Sequence, residues 1–156
     1  MSETEIALAT LTTDECRALV VTHRPRLGRL AFVAGEWPLV LPVNFVLEGD
    51  VLYCRSAAGS KLAAAARGGP RRPAASLLRP AATRGDRVAF EIDHIDEVWE
   101  EGWSLLAFGH LREVEDPAEL ARVRQLPLRP WASGDKPYYL RLEILSLSGR
   151  RIAFPG

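Results

Sequence analysis

The sequence is short of several things. Of its 20 basic residues only Lys61 and Lys136 are lysine, so a lone Lys inside a motif stands out. Its three histidines, His23, His94 and His110, are scattered, with no carboxylate or Cys at metal-ligand spacing, and no metal site is expected. Two cysteines, Cys16 and Cys54, are too few for a disulfide framework, and their position on different elements leaves any pairing open. No apolar run approaches the roughly 20 residues that cross a bilayer. The acidic start has no basic n-region and does not read as a signal peptide, so the cytoplasm is the expected compartment. Formal net charge is zero, so no global field steers the chain to nucleic acid or membrane.

What remains is an ordinary globular composition. The 156 residues are 47% hydrophobic and 26% charged, enough for one domain with its own core. Residues 1–11 read as a tail. Thr12 and Glu15 have capping-box spacing, predicting a helix over Thr13–Thr22 that buries Cys16, Leu19 and Val20 and ends before Pro25. Apolar alternation predicts strands at 27–33, 39–46, 51–55, 87–93, 103–114, 138–146 and 151–154, with Gly149 turning the chain between the last two. Pro42 confines its strand to an edge or a bulge. Gly109 marks a bulge or a close backbone approach. Asp116-Pro117 starts a short helix to about residue 124. Residues 94–102 form an acidic, solvated turn. Residues 68–85, with three Gly, four Arg and no acid, read as a flexible insertion. Seven strands joined by hairpins, with three short helices, favour a mainly β antiparallel barrel over a doubly wound sheet.

The stretch 37–67 carries the chemistry. Glu48-Gly49-Asp50 is a tight turn that sends the chain back through 51–54. The next loop brings Arg55, Ser56, Gly59, Ser60 and Lys61 to an alanine-rich helix at 60–67. Two cations and two hydroxyls beside a helix N-terminus suit a phosphate. The alternative stays open: Ser56 or Ser60 caps the helix, and Arg55 and Lys61 are solvated. Ser104 has no partner His near it in sequence, so a hydrolytic triad is unsupported. No catalytic acid or base is identified.

Four stretches in this order resemble the pyridoxamine 5′-phosphate oxidase-like family of flavin-binding split β-barrels: Gly28-Arg29-Leu30-Ala31, Pro42-Val43-Asn44-Phe45, residues 55–62, and Gly102-Trp103-Ser104. Pro130-Trp131-Ala132 and Ser148-Gly149-Arg150 add to the likeness, which is nearest to the small flavin-nucleotide-binding bacterial members. The resemblance implies a single split-barrel domain over 12–156 and a homodimer with two FMN sites at the subunit interface. It implies a flavin phosphate held by Arg55, Ser56, Ser60 and Lys61. It places the isoalloxazine along Leu41, Pro42, Val43 and Asn44. Trp103 and Trp131 would close the pocket, or else serve as core or interface anchors. The expected activity is flavin-mediated hydride or electron transfer to a small molecule. A non-catalytic flavin, F420 or haem carrier is the alternative, and nucleic-acid contact through Arg71, Arg72, Arg79 and Arg84 a weaker third.

Overall fold

In the computed structural model of the chain the apolar alternation is realised, among the described residues, as eight strands in one antiparallel sheet. The structure describes residues 7–34, 36–57, 59–66 and 86–153. The strands are β1 (Ala7–Leu11), β2 (Leu27–Ala34), β3 (Trp37–Asn44), β4 (Val46–Glu48), β5 (Val51–Ser56), β6 (Asp86–Asp96), β7 (Glu101–Glu113) and β8 (Tyr138–Ala153). The helices are α1 (Thr13–Thr22), α2 (Lys61–Ala66) and α3 (Pro117–Val123). Across the sheet the order is β3-β2-β6-β7-β8-β5-β4, with β1 also pairing β8. The sheet curls into the half-barrel of the predicted split β-barrel. The expected insertion at 68–85 lies outside the described residues.

The two edges of this sheet are consecutive in the chain. β3 is one edge and β4 the other, and Phe45 alone separates them. Apolar pattern predicts one strand over 39–46, and the structure breaks it at Phe45. Upstream, the chain pairs with β2; downstream, it pairs with β5. The Phe45 ring is buried, edge-on to Phe90 at 5.1 Å. Its N–H donates to the Arg26 carbonyl at 3.2 Å. Burying such a ring contributes roughly 1.5–3 kcal/mol, which fixes the residue at which the chain changes partner. Pro42 lies on the edge strand β3, as its missing N–H requires.

The concave side holds the core. Leu30, Phe90, Ile92, Leu105, Leu111, Leu140 and Leu142 are all buried there. α1 closes it with Cys16 and Val20, and its N-terminus carries the predicted capping box between Thr12 and Glu15. α3, N-capped by Asp116, covers a second cluster of Val46, Tyr53, Val114, Val123 and Leu128. There the Tyr53 hydroxyl donates to Glu119 at 2.7 Å and accepts from Arg122 at 3.1 Å.

Two expectations are corrected. Residues Ala7–Leu11 belong to no tail: they form β1, paired with β8 from Gly149 to Ala153. Gly149 does not turn the chain either, because β8 is one strand of 16 residues. Its glycine answers packing instead, since a Cβ there would stand 2.5 Å from Leu105 and 2.8 Å from the Cys16 sulfur. Nothing local in sequence separates a glycine that turns from one that is crowded.

Gly109 meets both of its expected roles. The register between β7 and β8 shifts between Phe108 and Gly109, and a Cβ on Gly109 would lie 2.0 Å from the Glu143 carbonyl oxygen. Gly109→Ala is expected to cost about 1–3 kcal/mol, the usual penalty of overpacking. Urea denaturation should show a lower midpoint with an unchanged slope.

Candidate functional site

β5 leads into the cationic loop. Arg55 pairs with Tyr139 of β8 and stacks over its ring at 4.9 Å. Its Nε donates to the Lys136 carbonyl at 2.9 Å. Among the described residues no carboxylate pairs with Arg55. Ser56 is buried, and its hydroxyl shares a hydrogen bond with that of Ser60. Ser60 also accepts from the Ala63 N–H at 3.0 Å, so it caps α2, which Lys61 opens. The capping alternative therefore holds for Ser60 and not for Ser56. Gly59 bends the loop at φ +67°. The loop thus gathers Arg55, which has no carboxylate partner among the described residues, with the Ser56 and Ser60 hydroxyls, a donor set that fits a phosphate.

The neighbouring edge supplies apolar surface. On β3, Leu41 and Pro42 are exposed and Val43 is buried. Asn44 is half-buried: its Nδ2 donates to the Arg26 carbonyl at 3.3 Å, and its Oδ1 accepts from the Trp131 N–H at 2.8 Å. Trp131 itself is 65% exposed. The structure therefore brings Asn44, Arg55 and the segment carrying Trp131 to one region.

It does not bring Trp103 there. Arg55 faces Tyr139, whose carbonyl accepts from the Val114 N–H. Val114 follows the last residue of β7, and Trp103 lies eleven residues before it, about 36 Å along the strand at ~3.3 Å per residue. Instead Trp103 sits between two histidines: His23 edge-on at 5.2 Å and His94 tilted at 6.2 Å. Burial, with His94 close by, holds the His23 imidazole below its ordinary value. Trp103, His94, Asp96, Glu101 and Arg151 line a cleft of about 380 Å³. Sequence spacing gave no sign of this cluster, because His23 reaches it from the end of α1. His110 stands apart from β3, opposite Arg87 and Glu143 on the neighbouring strands. Among the described residues no group of His, Cys, Asp or Glu is placed to hold a metal ion, and no helix is long and apolar enough to cross a membrane.

The convex face is unusual for a surface. Register aligns Val40, Ala31, Ala89 and Phe108 across β3, β2, β6 and β7. Val40 is 61% exposed and Phe108 50%, with Val33 and Leu145 exposed as well. Beside this row Arg29 is paired with Asp93 at 2.8 Å and Glu91 at 3.5 Å. Burial and the neighbouring Asp93 charge push the Glu91 carboxyl up.

The chain is thus an antiparallel split β-barrel with a cationic loop beside an apolar edge strand. The family model for pyridoxamine 5′-phosphate oxidase matches residues 12–151, and the chain belongs to that family. The structure of the FAD-binding protein from Mycobacterium smegmatis superposes with a TM-score of 0.71 at 29% identity, over 94% of this chain and 100% of that one. A FAD-binding protein of Mesorhizobium loti shares the fold, with a TM-score of 0.64 at 21% identity over 96% and 99% of the two chains. An uncharacterised protein of Mycobacterium tuberculosis is 29% identical over 125 residues, 80% of this chain and 74% of that protein.

The thiols take no part in this arrangement. Cys16 and Cys54 are free and buried. Burial raises the Cys54 pKa from 9.0 to about 12. A folded-state value above the unfolded one stabilises the fold below pH 9 and loses that contribution as pH rises towards 12. Cys54 should therefore resist a maleimide at pH 8 until denaturant is added. Cys54→Ala should flatten the fall in stability between pH 9 and 12, read by urea titration.

Proposed function

We propose that this chain binds a flavin nucleotide, FMN in the first instance, and that the bound flavin carries out hydride or electron transfer with a small substrate. The observation that carries the reading is Arg55: a cation without a carboxylate partner among the described residues, beside the Ser56 and Ser60 hydroxyls, at the edge of an exposed apolar strand. Arg55, Ser56, Ser60 and Lys61 would hold the phosphate. Leu41, Pro42 and Val43 would offer backbone and apolar surface to the ring system. When bound, the flavin supplies the redox chemistry, and the protein supplies position and exclusion of water. The M. smegmatis neighbour at 29% identity is a FAD-binding protein, which makes FAD the competing cofactor. The two share the isoalloxazine and the first phosphate.

The assembly we propose is a homodimer. The convex row of Val40, Ala31, Ala89 and Phe108 supports it, because a second copy would remove that surface from water. It also accounts for Trp103, which cannot reach the phosphate loop of its own protomer. In a two-fold pair it would close the partner's pocket.

Purified protein should show flavin absorbance, or acquire it on titration with FMN or FAD, and the tighter of the two names the cofactor. Arg55→Ala and Lys61→Ala should each weaken binding at least tenfold, as expected for loss of a charge-assisted bond of about 1.5–3 kcal/mol. A protein that takes up neither nucleotide, with both variants indistinguishable from wild type, would remove the reading. NADH or NADPH oxidation by the loaded protein separates an enzyme from a carrier.

Light scattering should give twice the 17.2 kDa chain mass. Phe108→Asp should give a monomer with weaker flavin binding.

A further inference from the structure

Between α3 and β8 the chain runs through residues 124–137 without helix or strand. A segment with no ladder takes its order from side-chain anchors. Leu128 is buried in the second cluster. Lys136 bonds back through Nζ to the Ala132 and Ser133 carbonyls at 3.0 and 3.2 Å, closing that stretch on itself. Two further anchors hold it to the barrel. The Trp131 N–H donates to Asn44, the last residue of β3, at 2.8 Å. The Lys136 carbonyl accepts from Arg55, next to the end of β5, at 2.9 Å. β3 and β5 approach each other but share no ladder. The segment is thus a strap across the seam of the half-barrel, fastened on both sides.

The fastening leaves the Trp131 side chain exposed while its backbone is fixed. An indole presented in this way has apolar area to bury, on the order of 150–250 Å² for an aromatic residue, and little backbone entropy left to lose. Asn44 has meanwhile spent its carbonyl on Trp131 and one N–H on Arg26.

We propose that Asn44 is a positioning residue: it latches the strap across the seam so that Trp131 stands beside the cofactor site, and it does not itself bind the cofactor. The proposal rests on the flavin reading above and assigns Asn44 a different role from its β3 neighbours.

Amide hydrogen exchange on the protein without flavin tests the latch. Asn44→Ala should speed exchange of the Trp131 N–H about three- to tenfold, the loss expected for one hydrogen bond. Asn44→Asp, which keeps an oxygen acceptor, should retain most of the protection. FMN titration then tests the consequence. Asn44→Ala and Trp131→Ala should weaken binding by similar factors, and the double variant should be no weaker than Trp131→Ala alone. Unchanged Trp131 exchange in Asn44→Ala overturns the latch. Multiplying losses in the double variant overturn it too, since Asn44 would then touch the cofactor directly. If wild type takes up no FMN, the exchange result still decides the latch, and only the cofactor reading falls. If Asn44→Ala does not fold, Trp131→Pro removes the donor without altering Asn44. Exchange over residues 132–136 should then exceed that of Trp131→Ala, and equal exchange overturns the proposal.

Discussion

The burial of one side chain, Phe45, sets the terms for the rest of the structure. Its ring packs against Phe90, and its N–H on the Arg26 carbonyl carries the β2 register one residue past Asn44, where the chain turns away to its other partner. The chain pairs with β2 before it and β5 after it. A sheet whose first and last strands are joined by one residue must curl, because its edges cannot separate. The seam is held by a covalent link and by the strap, and backbone hydrogen bonding between β3 and β5 is left out. That open seam is where Asn44, Arg55 and Trp131 meet.

The separation of Trp103 from Arg55 has the same origin. β7 and β8 are long and paired from Gly102 to Glu113 with one register shift, so residues at their two ends are held apart by the ladder. The His23–Trp103–His94 cluster lies at one end and the cationic loop at the other. In the proposed homodimer a site could draw on both ends, with the exposed row through Val40 and Phe108 as the surface on which the second chain would sit.

Local signals were legible where chemistry is local. The capping box at Thr12 and Glu15, the Asp116-Pro117 start, the turn at Gly49 and the edge position of Pro42 follow from residues a few places apart. The split barrel was legible through the order of several weak motifs, none sufficient alone. What sequence left hidden depends on distant partners. A strand over 39–46 looks continuous until Arg26 and Phe90 compete for Phe45. Residues Ala7–Leu11 look like a tail until the far half of β8 offers them a ladder. Gly149 looks like a turn until Leu105 and Cys16 crowd it. In the site, the gathering of Arg55, Ser56 and Ser60 was readable from spacing. The Asn44–Trp131 bond joins residues 87 positions apart and was not.

The prolines of β3 bear on solubility. Among the described residues β3 is paired on one side only, and a long apolar edge of this kind invites strands from other molecules and is a nucleus for aggregates. Pro38 and Pro42 deny a newcomer two of the amide donors that a continuous ladder would require. The chain can therefore keep an apolar strand open at the mouth of the barrel while discouraging its extension into a fibre.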